Sequence, residues 1–477
     1  MTTRSLPPAR SAPAGGPPAA PIQPAALPSW AQLLISRLHF YIGLLVGPFV
    51  LVAASSGVLY ALTPQIEDRV YHDVLYTDSA GQARPLAEQV SAARAIVGPE
   101  GIVSAVRPAP EPGTTTRVMF AGPGLGPSEH RAIFIDPVTA QVRGDLGVYG
   151  TSGVLPVRAW LDLLHRELHL GEAGRLYSEL AASWLWIAAL GGLLLWACRR
   201  PTARQPASGR LRRWHATLGV WALLGLMFFS ATGLTWSQYA GGNIGVLRKQ
   251  FGWGTPNVST ALAAEAAPSA HGGHAHHHGA AASHAGYVEP ALFDHVLGSA
   301  RAEGISATMV EIRPPVSAGR AWTVTEIDRS WPTQVDAVAV DPHSLTVTDR
   351  IRFEDFPLAA KLTRWGIDAH MGVLFGLPNQ IILIGFGSAL LVMVAWGYMM
   401  WWRRRPAPHA PRLTEALRRV PRLPLAGLAA GAVLLGAFLP LMGITLLGFF
   451  LVDAAIAWRY RVLHASRATA TENSRPG

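Results

Sequence analysis

Four histidines stand at positions that repeat along the chain, and imidazole is the side chain best suited to hold a transition metal or to move a proton near neutral pH. Arg37-Leu38-His39-Phe40-Tyr41-Ile42-Gly43 aligns with Arg213-Trp214-His215-Ala216-Thr217-Leu218-Gly219 at an offset of 176 residues, and the same offset carries Ser56-Gly57 onto Thr232-Gly233. Further on, Leu168-His169-Leu170-Gly171 resembles Ala369-His370-Met371-Gly372, and each copy then runs through an apolar stretch to Arg-Arg-Pro at 199–201 and 404–406. Two neutral imidazoles on facing helices can ligate an iron from both sides, and a flat haem fits among four helices. His39 with His215, and His169 with His370, are therefore the expected iron ligands. Gly43 and Gly219 follow His39 and His215 by about one helical turn, where a missing side chain admits a flat ring or simply a close helix. Arg37 and Arg213 can meet the carboxylates of such a group, although their place at the ends of apolar segments accounts for them equally well. His165, one turn before His169, is the weaker ligand, since Gly366 holds the matching place in the second copy.

These residues need a scaffold, and the composition names its kind. The chain has 477 residues, half of them hydrophobic and only 15% charged, against about 25% charged in an ordinary soluble domain. Its one cysteine, Cys198, excludes an internal disulfide, a cysteine-ligated iron–sulfur cluster and covalent haem attachment. Bound haem would thus be of the b type, two per chain. Segments 30–62, 166–199, 213–237 and 365–403 are long and apolar enough to cross a bilayer, and 423–459 reads as a fifth and sixth span in a tight hairpin broken near Pro440. Arginines fill the links at 200–212 and 404–422, so those links are placed in the cytoplasm, together with the tails at 1–29 and 460–477. Much of the net charge of +10 is this topological bias and not a nucleic-acid surface.

Segments 63–165 and 238–364 then lie outside. Both read as α+β, and Ile133-Phe134-Ile135-Asp136-Pro137 matches Val338-Ala339-Val340-Asp341-Pro342 within alternating strand-like sequence. The fold class is an α-helical integral membrane protein with a duplicated four-helix core, two extracytoplasmic α+β domains and a C-terminal helical hairpin. A parallel repeat of this kind sets its pseudo-twofold axis along the membrane normal, which puts equivalent histidines at equal depth. The second outer segment also carries His271, His274, His276, His277, His278 and His284 in a Gly/Ala/Ser-rich run at 271–284. Such a tract can bind divalent metals loosely, or it is a solvated loop. Gly122-Pro123-Gly124-Leu125-Gly126 lacks the spacing of a dinucleotide-binding loop. Electrons would have to come from a quinol or a separate cytoplasmic reductase.

Arg37-x-His39-x3-Gly43, Arg213-x-His215-x3-Gly219, His169-x-Gly171 and His370-x-Gly372 together resemble the PepSY-associated transmembrane family over about residues 30–406. The resemblance implies two PepSY-like outer domains and haem held by His39, His215, His169 and His370 in the bacterial inner membrane. It further implies a reductase that passes electrons outward to a periplasmic ferric siderophore or another metal chelate, with no nucleic-acid partner. Two other readings compete. A metal permease or resistance protein would pass ions along the histidines, yet it calls for acidic or polar residues inside the spans, where Asp453 is an exception among small and apolar ones. A membrane-anchored regulatory or binding module gives no reason for histidines at two matched depths.

Overall fold

The computed structural model describes residues 27–472 apart from 100, 127, 151, 199–208, 263–287 and 405–411. The histidines of the 271–284 tract lie outside the described residues. Among the described residues, four helical segments have the length and apolarity to cross a membrane: span 1 (Ser29–Ala61), span 2 (Gly171–Ala197), span 3 (Gly209–Trp236) and span 4 (Leu377–Arg403). At 1.5 Å of rise per residue each is about 40–50 Å long, which exceeds the ~30 Å hydrocarbon core. Span 1 packs on spans 2 and 4, and span 3 also packs on spans 2 and 4. The four thus close a ring in which spans 1 and 3 lie across from each other. Small residues allow the close packing: a Cβ on Gly233 would stand 3.0 Å from that of Ala182, and one on Gly225 would be driven into the Phe386 ring at 2.5 Å.

Spans 2 and 4 begin later than the sequence pattern suggests. A separate helix, Pro156–Glu167, precedes span 2, and another, Leu358–His370, precedes span 4. Both are amphipathic helices rather than apolar ones. They turn across the ends of the spans, so the histidines of this end are carried on short helices and not on the spans themselves.

The two outer segments share one sheet. Strands β1 (Ile102–Arg107), β2 (Thr116–Ala121), β3 (Glu129–Ile135) and β4 (Val142–Tyr149) are joined by β5 (Val310–Arg313), β6 (Trp322–Glu326), β7 (Ala337–Val340) and β8 (Val347–Ile351). The order is β4-β3-β2-β1-β5-β6-β7-β8, antiparallel throughout, with the seam at β1–β5 where Val106 faces Ile312. Helices Leu86–Val97 and Ala291–Ala302 cover one face, and their apolar sides make a single core with Val106, Val118, Ile133, Ile312, Val324 and Val338. Asp294 of the second helix accepts the N–H groups of Leu86 and Ala87, at 2.8 Å each, at the start of the first. One helix's side chain therefore caps the other's positive end. What the sequence suggests are two domains is one continuous layer.

The C-terminal hairpin consists of Arg422–Phe438, with 17 residues, and the apolar part of Pro440–Glu472. Both apolar stretches are shorter than the four spans. Asp453, fully buried, ties the hairpin down. It accepts the Tyr41 hydroxyl of span 1 at 2.6 Å, the Leu413 and Thr414 N–H groups at 3.1 and 3.0 Å and the Thr414 hydroxyl at 2.6 Å. Glu179 of span 2 is equally buried and accepts the N–H groups of Tyr239 and Ala240, at 2.9 and 3.1 Å, where the helix Tyr239–Gln250 begins. Both buried carboxylates close helix ends.

At the seam of the sheet, Glu311 is paired with Arg107 at 2.6 Å and with Arg313. Burial alone would raise its pKa, but the two guanidinium groups outweigh burial and hold it below its usual 4.5. Its ionised form therefore stabilises the fold above about pH 4.5, and that contribution is lost as the pH falls through the depressed folded-state value. Glu311→Ala should destabilise the sheet by about 3–5 kcal/mol at pH 7, because it strands Arg107. The difference from the parent protein should shrink on acidification. Melting curves followed by circular dichroism from pH 7 to pH 3 check this, and a gap independent of pH would refute it.

Candidate functional site: two histidine pairs

The first pair sits at the Arg-rich end. His39 of span 1 and His215 of span 3 face each other across the ring, their centroids 6.3 Å apart and their planes at 85°. The Nδ1 of His39 lies 3.0 Å from the Ala188 carbonyl of span 2, and the Nδ1 of His215 lies 3.0 Å from the Met393 carbonyl of span 4. A carbonyl oxygen can only accept, so Nδ1 carries the proton in both rings, and Nε2 keeps a lone pair. In the neutral ring, Nε2 is then the nitrogen left able to accept a proton or a metal.

These rings border a cavity of about 830 Å³. Gly43, Gly47, Gly192, Gly219 and Gly397 line it, with Arg212, Ser36 and Gln32 among the polar residues. A Cβ on Gly43 or Gly397 would meet nothing within 4 Å, while one on Gly192 would stand 3.3 Å from the His39 ring. Span 1 is wound as a π-helix at Ile42–Val46, directly after His39. The cause lies in Pro48, which has no N–H to give the Leu44 carbonyl. The Tyr398 hydroxyl of span 4 donates to that carbonyl instead, at 2.8 Å. One turn of wider helix thus opens the wall beside His39 and is closed off by a partner from across the cavity.

The second pair sits at the sheet end and is not the pair that the sequence repeat suggests. His165 and His370 have centroids 6.3 Å apart at 43°. His169 is exposed, packs on Trp160 at 4.9 Å and does not face His370. The helices explain the exchange. In the second copy the helix continues through His370, whereas in the first it stops at Glu167, and Leu168 and His169 both turn left-handed, with φ of 53° and 56°. His169 is thereby swung away, and the ring one turn earlier takes its place. Gly366, which matches His165, leaves the Leu358–His370 helix free to approach Thr232.

Ser56 lies 3.0 Å from Nδ1 of His165, and Thr232 lies 2.8 Å from Nδ1 of His370. Each hydroxyl already donates to a carbonyl four residues back, at 2.8 and 2.7 Å. Each must therefore accept from Nδ1–H, which again leaves Nε2 unprotonated. Tyr177 donates its hydroxyl to the His165 carbonyl and secures this helix end. Gly57 completes the wall: a Cβ there would stand 3.1 Å from the His165 ring.

The remaining expected residues divide. Gly43 and Gly219 line the cavity, but Arg37 and Arg213 do not; Arg213 is exposed, and Arg212 borders the space instead. Ala188 and Gly192 of span 2 recur 205 residues later as Met393 and Gly397, a second repeat that the histidine alignment passes over. Among the described residues, no three His, Cys, Asp or Glu side chains cluster to hold a metal by themselves. Tyr398→Phe should strand the Leu44 carbonyl and cost about 1–3 kcal/mol. The loss would be read as a lowered thermal midpoint in detergent, and an unchanged midpoint would show that the π turn needs no partner.

No curated protein matches the chain. A family model does, the PepSY-associated TM region, over residues 36–404. That stretch opens just before His39 and closes at the end of span 4, so it takes in spans 2, 3 and 4, span 1 apart from its first seven residues, both histidine pairs and the eight-stranded sheet, and leaves the C-terminal hairpin outside. With most of its length matched, this membrane protein belongs to the PepSY-associated TM family.

Proposed function

We propose that this protein is a two-haem b electron carrier of the bacterial inner membrane, built on a duplicated four-helix core, which reduces a metal chelate on the outer side. The observation that carries the reading is the equivalence of the two pairs. Both have centroids 6.3 Å apart, and all four rings have Nδ1 bonded to an acceptor. A separation of this size between two imidazoles would suit a metal held between them. Two imidazoles would leave the remaining ligands of an iron to be brought by the bound group itself. The cavity at the Arg-rich end supports the fit, since its glycines leave flat, apolar walls.

On this reading His39 and His215 hold one haem, and His165 and His370 hold the other. Bound haem supplies one-electron redox chemistry at these two levels. The protein's part is to fix the four imidazoles in one tautomer, to keep the iron in an apolar ring of helices and to set the levels apart. Ser56 lies 17 residues beyond His39, so the pairs are separated by about 25 Å along span 1. Phe229 and Phe386 fill the packing inward from His370, at 5.7 Å from its ring and 6.4 Å from each other.

By the positive-inside rule the arginines at one end favour the cytoplasmic side for it, and that is where the electron donor, a quinol or a separate reductase, would act. The PepSY-like sheet then stands in the periplasm, where the acceptor would be a ferric siderophore or a similar oxygen-donor chelate. Reduction to Fe(II) weakens such a chelate, because the softer ion holds hard oxygens less tightly.

The absorption spectrum of the purified protein tests this. It should report two low-spin b haems per chain. His39→Ala or His215→Ala should remove one, and His165→Ala or His370→Ala the other, while His169→Ala should keep both. A colourless protein from haem-replete cells would overturn the reading.

A further inference from the structure

Seven arginines crowd the layer between the sheet and the His165–His370 pair, and they outnumber the carboxylates they meet. Arg107 and Arg313 share Glu311, while Arg329 and Arg364 share Asp368, two residues before His370. Arg158 pairs with Glu67 at 2.7 Å, and Arg166 lies between Asp162 and Glu167 at 3.8 and 3.9 Å. Among the described residues Arg117 forms no ion pair and feels Glu67 and Glu311 only through space: it donates to the Gly153 carbonyl at 2.6 Å and lies 4.8 Å over the Phe134 ring. The neighbouring Ser152 joins the two halves of the cluster, accepting Arg107 on its carbonyl at 2.8 Å and Arg329 on its hydroxyl at 3.0 Å. Seven guanidinium groups against Glu67, Asp162, Glu167, Glu311 and Asp368 leave a surplus of two positive charges.

That surplus is poorly solvated. The side chains of Arg107, Arg158 and Arg329 are 13%, 19% and 16% exposed. Burial, with Arg107 alongside, depresses Arg117 to about 9. Uncompensated charge next to the apolar ends of the spans is costly unless an anion completes it. Arg364 is the natural point of contact. Its side chain is 33% exposed, against none for Asp368, and it sits about one and a half helical turns before His370 on the same helix. Arg329 stands beside it and also reaches the Met371 sulfur at 3.5 Å.

We propose that Arg364 of the Leu358–His370 helix and Arg329, which share Asp368, form an anion site that takes carboxylate groups. Those carboxylates come either from the propionates of a haem held by the pair or from a polycarboxylate chelate docked as electron acceptor. The charge surplus stands without the electron-carrier reading; only the identity of the anion rests on it.

Gallium(III) citrate is a suitable probe, since it presents carboxylates on a trivalent metal and cannot be reduced in place of binding. Its affinity is measured by titration of the full-length protein in detergent, alongside haem content and midpoint potentials. If the chelate is the source, Arg364→Gln weakens gallium citrate at least tenfold, as expected for a lost charge-assisted hydrogen bond, and Arg364→Lys recovers part of it. If the propionates are the source, citrate binding is unchanged, and the haem of the His165–His370 pair is lost or its midpoint falls. Arg329→Gln gives the same pattern if the site is shared, and the thermal midpoint of each variant separates this from misfolding. A haem-free protein that binds gallium citrate and loses it on Arg364→Gln sustains the anion site while sinking the haem reading. Unchanged citrate affinity, haem content and midpoints overturn the proposal, as does a wild-type protein that binds neither haem nor citrate.

Discussion

A hydrogen bond at Nδ1 orients each of four imidazoles, and much of the molecule is arranged to supply its acceptor. Four rings each have Nδ1 engaged by an acceptor, two by backbone carbonyls of the adjacent span and two by hydroxyls whose own protons are already committed. The carbonyl acceptors need helices in contact at His39 and His215, which the ring of four spans provides. The hydroxyl acceptors need spans 1 and 3 to meet the short helices that cross their ends. Removing either kind of contact frees the imidazole to rotate or to change tautomer, and with it the geometry of the pair.

The spacing of residues in the sequence points to the rings that meet at the first level but not to those that meet at the second, for a physical reason. His39 and His215 lie inside long helices, where an offset in sequence is an offset in space. His165, His169 and His370 lie where helices end, and whether a helix runs one turn further is decided by local backbone geometry at Leu168 and His169. No pattern of residue types announces two consecutive left-handed residues without glycine. Arg212 was missed for a similar reason, since neighbours on a helix point about 100° apart. Which arginine of a run borders a cavity depends on the rotation of the whole helix.

The outer layer shows the complementary limit. Alternation of apolar residues marks the strands, and the repeat of Asp136-Pro137 and Asp341-Pro342 marks the corresponding turns. The joining of the two halves rests on strands more than 200 residues apart, with a seam at Val106 and Ile312 and an ion pair beside it. Such a pairing carries little signal in either strand alone. Asp453 and Glu179 are the reverse case. Each is conspicuous as a carboxylate in an apolar helix, and the structure gives each an ordinary structural task at a helix end.

The shared sheet has one more implication. Transporters built from parallel repeats work by rocking one half against the other around a central site. Here the halves are welded above the spans by a common core, with Asp294 of one half capping a helix of the other and Arg107 of one half buried against Glu311 of the other. A hinge between the repeats would have to tear that layer open. The architecture therefore suits the proposed electron carrier better than a permease: an electron can cross a rigid frame, whereas a hydrated ion needs a gate.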